Sequence, residues 1–155
     1  MQETQENMPQ LELIQQQLKD LSFENIAPII PLLQDGEEPH LERVFNISTK
    51  LAHPDQKIYE ISLSLHLRCS VRSQPAFILE VLYEGAFFID GMNEELLHFC
   101  LFNECPRLLF PYLRKIVSDI AYEGNLGSLL LSYADFMSQM NEQMKQHKKE
   151  YDHTT

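Results

Sequence analysis

The clearest pattern in the chain is an alternation from Ile58 to Arg72. Tyr59, Ile61, Leu63, Leu65, Leu67, Cys69 and Val71 stand against Glu60, Ser62, Ser64, His66, Arg68, Ser70 and Arg72 without one exception. A strand turns successive side chains to opposite faces, so this segment predicts a long strand with one core face and one wet face. Ser73 to Pro75 predicts a turn, and Phe77 to Ile89 a further strand whose odd positions Phe77, Leu79, Val81, Tyr83, Phe87 and Ile89 continue the core face. Its even positions are mixed, with Ile78, Leu82 and Phe88 beside Glu80 and Glu84, which makes that side a candidate interaction surface. Upstream, residues 41–53 alternate Phe45, Ile47, Thr49 and Leu51 with Asn46, Ser48 and Lys50, up to a turn at Pro54 and Asp55. Leu11 to Glu24 reads as a weaker strand, with Leu21 and Phe23 on one face and Asp20, Ser22 and Glu24 on the other.

Beyond Gly91 the period changes. Asn93 predicts the cap of a short helix with Glu94 and Glu95 in its first turn. From Cys100 to Gly124, Leu109, Leu113, Ile116, Val117 and Ile120 recur at three- and four-residue steps, predicting the helix on which everything upstream packs. Pro106 and Pro111 mark a helix start or a change of direction, and Gly124 marks the end. Ser132 with Asp135 resembles a capping box opening a last helix, which carries a stripe of Phe136, Met137, Met140 and Met144. Such a stripe serves either as core or as a movable cover over an adaptable apolar site. Between the first two strands, Pro28, Pro31, Gly36 and Pro39 interrupt Ile26, Ile29, Ile30, Leu32 and Leu33; the prolines oppose a helix, so an apolar loop is predicted over residues 25–40. The expected class is α+β, a four-stranded antiparallel sheet with helices packed on one face. The expected layout is a disordered start over residues 1–10, one domain over 11–145 and a flexible tail over 146–155.

Composition narrows the function. A chain of 155 residues makes one domain with its own core. No apolar run approaches the roughly 20 residues of a membrane span, so a cytoplasmic protein without membrane insertion is expected. Cys69, Cys100 and Cys105 are odd in number and lack zinc-site spacing, which reads as reduced thiols. The formal net charge is −11, and residues 1–60 hold 11 acidic against 4 basic side chains, a field that disfavours nucleic acid. It serves either solubility or the steering of a basic partner. No G-x-S-x-G, Walker loop, dinucleotide fingerprint, H-E-x-x-H or C-x-x-C occurs, and the six histidines are scattered. No enzyme activity, cofactor or metal is therefore expected.

Three segments carry a family likeness: KDLSFE at Lys19 to Glu24, FILEVLYEGAFFIDG at Phe77 to Gly91, and CLFNECPRLLFPYLRKIVSDIAYEG at Cys100 to Gly124. Together, and in this order over about residues 11–140, they resemble the SecB family of bacterial protein-export chaperones. The resemblance implies a cytoplasmic homotetramer, a dimer of dimers, that binds unfolded precursor proteins through apolar grooves and delivers them to the SecA ATPase. Asp20, Glu24, Ile78 and Glu80 match the family's SecA-docking positions, and Leu79, Val81 and Tyr83 match positions tied to tetramer assembly. The client site is expected along Ile29, Ile30, Leu32, Leu33, Phe136, Met137 and Met140, the apolar groups left without an obvious core layer. Two other readings stay open: a SecB-like chaperone for another dedicated client such as an antitoxin, and a small α+β ligand-binding domain or enzyme with residues 25–40 as a pocket wall.

Overall fold

A computed structural model describes residues 8–32, 36, 38–127 and 129–152. Its strands are β1 (Gln10–Asn25), β2 (His40–His53), β3 (Ile58–Val71) and β4 (Gln74–Asp90), and its helices α1 (Ile29–Leu32), α2 (Glu94–Phe99), α3 (Cys105–Glu123) and α4 (Tyr133–Asp152). The strands form one antiparallel sheet in the order β1-β4-β3-β2. Short connections set this order. A single 3₁₀ turn, Pro54–Gln56, joins β2 to β3, and Arg72 and Ser73, both at positive φ (53° and 64°), make the two-residue hairpin between β3 and β4.

The alternation read from the sequence is the layering of the molecule. Phe45, Ile47, Ile61, Leu63, Leu65, Leu67, Leu79, Val81 and Phe87 are all buried on the helix side of the sheet. Leu109, Leu113 and Val117 of α3 cover them, together with Phe136 and Met140 of α4. Each such burial is worth about 1.5–3 kcal/mol, so these rows and their covering stripe are the main term holding the layers together. Among the described residues no helix packs on the opposite face of the sheet.

Several local expectations are corrected. The loop over residues 25–40 contains one helical turn, α1, with Pro31 inside it; the first-turn N–H groups of a helix bond nothing within it, so the missing donor costs little there. α2 and α3 are not separate helices but are joined through a π turn, Cys100–Glu104, in which Cys105 N–H donates to Cys100 O. Pro106 explains the wider turn, because in a regular helix its ring would press on the carbonyl of Phe102. Pro111 neither starts nor redirects a helix. It lies inside α3 on the exposed side, where water can serve the carbonyl it leaves unbonded. Gly124 does end α3, but with φ −81°; the left-handed residue is Asn125 at φ 55°. A glycine is needed at 124 because a Cβ there would stand 2.7 Å from Cζ of Phe23. α4 continues to Asp152, past the point where the tail was expected to begin.

Candidate functional site

The β1–β4 ladder sets Asp20 opposite Leu82, Ser22 opposite Glu80, and Glu24 opposite Ile78. On the other side of β4, Ser64, His66 and Arg68 of β3 face the same three residues. Asp20, Glu24, Ile78 and Glu80 therefore lie together on three adjacent rungs of the face that carries no helix. Glu80 pairs with His66, whose Nδ1 is 2.9 Å from Oε1. Among the described residues Asp20 and Glu24 make no ion pair, so their charges face solvent uncompensated. Asp20, Ser64, His66, Glu80 and Leu82 line a shallow depression, and Ile78 beside it is only half-buried. Further along, Lys19 reaches Glu84 at 3.0 Å, which neutralises that buried carboxylate and keeps it out of the patch. The arrangement offers a basic partner two free carboxylates and a third shared with an imidazole, around a small apolar area.

Leu79, Val81 and Tyr83 point the other way and are buried beneath α3 within the same chain. Tyr83 stacks on the half-exposed Tyr112, with ring centroids 6.2 Å apart and planes 2° from parallel. Burial, and then the neighbouring Tyr112, push the Tyr83 hydroxyl above its ordinary pKa.

The residues expected to bind clients separate into two groups. Phe136 and Met140 were named for lacking a core layer, and this ground is overturned: both are fully buried. Phe136 stacks on Phe110 at 4.3 Å and meets Phe45 edge-on at 5.1 Å. Met137 is half-buried at the rim of the same core, and so is Ile29. Ile30 and Leu32 belong to α1, while Leu33 lies outside the described residues. Around α1 runs an open hollow of about 440 Å³, walled by Ile26, Pro28, Ile29 and Pro31 and closed by Gly124 and Asn125. Among the described residues its walls include none from α4.

How α4 is held was not anticipated. Gln139 and Gln143 bond the main chain of β2: Phe45 N–H donates to Gln139 Oε1 (2.8 Å), Gln139 Nε2 to Arg43 O (2.9 Å), Ile47 N–H to Gln143 Oε1 (3.1 Å) and Gln143 Nε2 to Phe45 O (2.6 Å). Asn103 donates to Asn141 Oδ1 (2.9 Å), and His98 Nε2 lies 3.0 Å from the carbonyl of Met144. The only sequence signal was two glutamines four apart on a helix that is otherwise apolar on its inner side. The π turn brings Cys100 and Cys105 to 4.0 Å, both buried and free. Cys105 is pushed far above the ordinary thiol range by its bond to Cys100 and by burial, whereas the same bond lowers Cys100. Among the described residues no three metal-ligating side chains cluster, and no helix is long and apolar enough to cross a membrane.

Comparison with known proteins places these features in context. The family profile of preprotein translocase subunit SecB matches residues 4–147. The protein-export protein SecB of Rhizorhabdus wittichii is 37% identical over 143 residues, covering 92% of this chain and 84% of that one. That of Roseobacter denitrificans is 37% identical over 136 residues, covering 86% and 81%. A SecB-like chaperone of Mycobacterium tuberculosis, solved with a peptide from the HigA1 antitoxin, superposes with a TM-score of 0.65 over 79% of this chain and 88% of that one. At 17% sequence identity this last likeness is one of fold.

Proposed function

This chain belongs to the SecB family of protein-export chaperones, and on that premise we propose that it binds unfolded precursor proteins and hands them to the SecA ATPase, working as a homotetramer in the cytoplasm. The observation that carries the SecA contact is the gathering of Asp20, Glu24, Ile78 and Glu80 on three rungs of one open sheet face. Such a patch suits a basic segment of a partner: exposed pairs contribute about 0.2–1 kcal/mol each, but together they raise the encounter rate and fix the register. The work is binding rather than bond chemistry, so no catalytic residue or cofactor is assigned.

Clients are taken on apolar surface around α1 and at the rim of α4, where Ile29 and Met137 are accessible; Ile30, Leu32 and Leu33 are assigned to clients on their apolar character in the sequence alone. Phe136 and Met140 contribute only where α4 lifts, since both are buried beneath it. Assembly depends on Leu79, Val81 and Tyr83 through α3. Service to one dedicated client, as the antitoxin peptide suggests for the M. tuberculosis protein, is less well supported: that protein shares 17% identity, against 37% for the first two export relatives.

The test is the double change Asp20→Asn with Glu80→Gln, with affinities for SecA and for a permanently unfolded client measured separately at two salt concentrations. SecA affinity should fall by roughly 2- to 30-fold, from two pairs at about 0.2–1 kcal/mol each, and the loss should shrink as salt rises. Client affinity should stay unchanged. Unchanged SecA affinity, or equal loss of both, would mean that these carboxylates merely hydrate a sheet face.

A further inference from the structure

The open face beside Asp20 and Glu24 is not uniformly acidic. One rung runs straight across three strands: Glu24 of β1 lies opposite Ile78 of β4, and Ile78 opposite Arg68 of β3. Two strand spacings, roughly 9.6 Å, separate the carboxylate column from the guanidinium column. Arg68 is exposed, and among the described residues it makes no ion pair. The acid directly opposite it on β2 is Glu42, which turns instead to His40, with Oε1 3.6 Å from Nε2.

Other charges near Ile78 are already matched. Glu80 is held by His66, with Oε1 2.9 Å from Nδ1, and Glu84 by Lys19 at 3.0 Å. The unpaired charges flanking Ile78 and Leu82 are therefore Asp20 and Glu24 along β1 and Arg68 on β3, so the face reads negative, apolar, positive from β1 to β3. The depression lined by Asp20, His66, Glu80 and Leu82 spans the same three strands. A segment seated in it reaches from one charge column to the other, because Arg68 follows His66 by two residues on the same face. A segment that is basic throughout fits only half of this surface. Over β1 its charges are attracted; over β3 they meet a like charge, which offsets much of that gain.

We propose that the docking face selects a partner segment of mixed charge, basic over Asp20 and Glu24, apolar over Ile78 and Leu82, and acidic over Arg68. This rests on the SecA-contact reading above and adds which basic segments are refused. Arg68 is the specificity-determining residue: it contributes one pair to the correct partner and repels the polycations that a chain of net charge −11 would otherwise collect. It also fixes direction, since a segment laid the other way round would set its acid over Glu24 and its base over Arg68.

The test inverts Arg68. Affinities for SecA and for a fluorescein-labelled decalysine peptide are measured at two salt concentrations on the full chain, unaltered and as Arg68→Glu. If negative charge alone mattered, both probes would bind Arg68→Glu more tightly. The charge order predicts divergence: SecA affinity falls by roughly 2- to 30-fold, from one lost pair and one new repulsion, while decalysine affinity rises, and both changes shrink as salt rises. A SecA loss that decalysine does not share supports the proposal; SecA affinity unchanged or raised, or a loss for both probes, would overturn it. Arg68→Gln removes the pair without adding a repulsion, so SecA affinity should fall by roughly 1.5- to 5-fold. Should Arg68→Glu not fold, this variant decides, and unchanged SecA affinity in it overturns the proposal. The protein with Asp20→Asn and Glu80→Gln keeps the two readings apart. Unchanged SecA affinity in it removes the contact from this face and the charge order with it, whereas a loss there beside a gain in Arg68→Glu retains the contact and overturns the charge order alone.

Discussion

Sheet and helix approach closely at Gly85, and filling it tests the packing directly. A Cβ at this position would stand 2.8 Å from Leu109 Cδ2, 2.8 Å from Phe87 Cε2 and 3.3 Å from Leu13 Cδ1. Leu109 and Phe87 have no exposed surface into which to retreat, so Gly85→Ala must push α3 away from β4 or force a side chain off its rotamer. Overpacking of this kind costs about 1–3 kcal/mol, offset by about 0.4–1 kcal/mol from the narrower unfolded ensemble of alanine. The net loss is roughly 1–2 kcal/mol, a fall in Tm of roughly 2–8 °C for a chain of this size. The assay is urea unfolding followed by far-UV circular dichroism at fixed protomer concentration, because association would itself shift the midpoint. The same substitution in a Leu109→Val background, which lacks the δ carbons, should cost clearly less. Stability at or above that of the unaltered chain, or an equal cost in both backgrounds, would refute the close approach.

Three other outcomes follow from single contacts. Asn93→Ala removes the side chain that accepts from Leu96 N–H at 2.8 Å, and should lower stability by about 1 kcal/mol in the same urea assay. Lys57 hydrogen-bonds Asp90 at 2.8 Å and, with the Gly91 N–H, holds that carboxyl below its usual pKa; the stabilisation is present above the unfolded carboxylate value of about 3.9 and is lost as pH falls through the folded value. In Lys57→Ala an NMR titration should find Asp90 nearer its ordinary value, and an unmoved Asp90 would discount the lysine. Val81→Asp puts an unpaired charge in the core beneath α3, so circular dichroism should report loss of fold together with loss of assembly in sedimentation; a folded protomer that only fails to associate would place Val81 outside the core.

What the sequence made legible were the elements whose own residues decide their face. β3 and β4 alternate because one side is buried, and the alternation survives in the register of the folded sheet. The open face of Ile78 and Glu80 was legible for the same reason, since parity sets them opposite Leu79 and Val81, whereas the choice of Asp20, Glu24, Ile78 and Glu80 as a group came from the family resemblance. The missed features depend on partners distant in sequence. Gln139 and Gln143 bond β2 residues 94 to 98 positions away, and nothing near either glutamine announces a strand edge. Phe136 and Met140 could be core or cover until Phe45 and Phe110 were brought against them. The π turn was hidden because Pro106 reads locally as a helix start, whereas its effect is to widen the helix before it.

β1 shows why a weak strand pattern can still give the correct face. Its helix-side positions are Leu11 and Leu13, then Gln16 and Leu18, which pair with Gly85 and Tyr83, then Leu21 and Phe23. The parity of the buried side flips from odd to even at the first register shift and back to odd at the second. Across the whole strand the alternation therefore blurs, and the segment looks poorly patterned, although each piece is regular. One bulge alone would have carried Asp20 and Glu24 to the helix side, setting two carboxylates opposite Val81 and Phe77 at a desolvation cost the core could not meet. Two bulges return both acids to the open face beside Ile78 and Glu80, and the first residue of that restored register is Asp20 itself. The same pair interrupts the β1–β4 ladder at two places, so the irregularity that blurs the alternation of β1 is also what assembles the acidic patch.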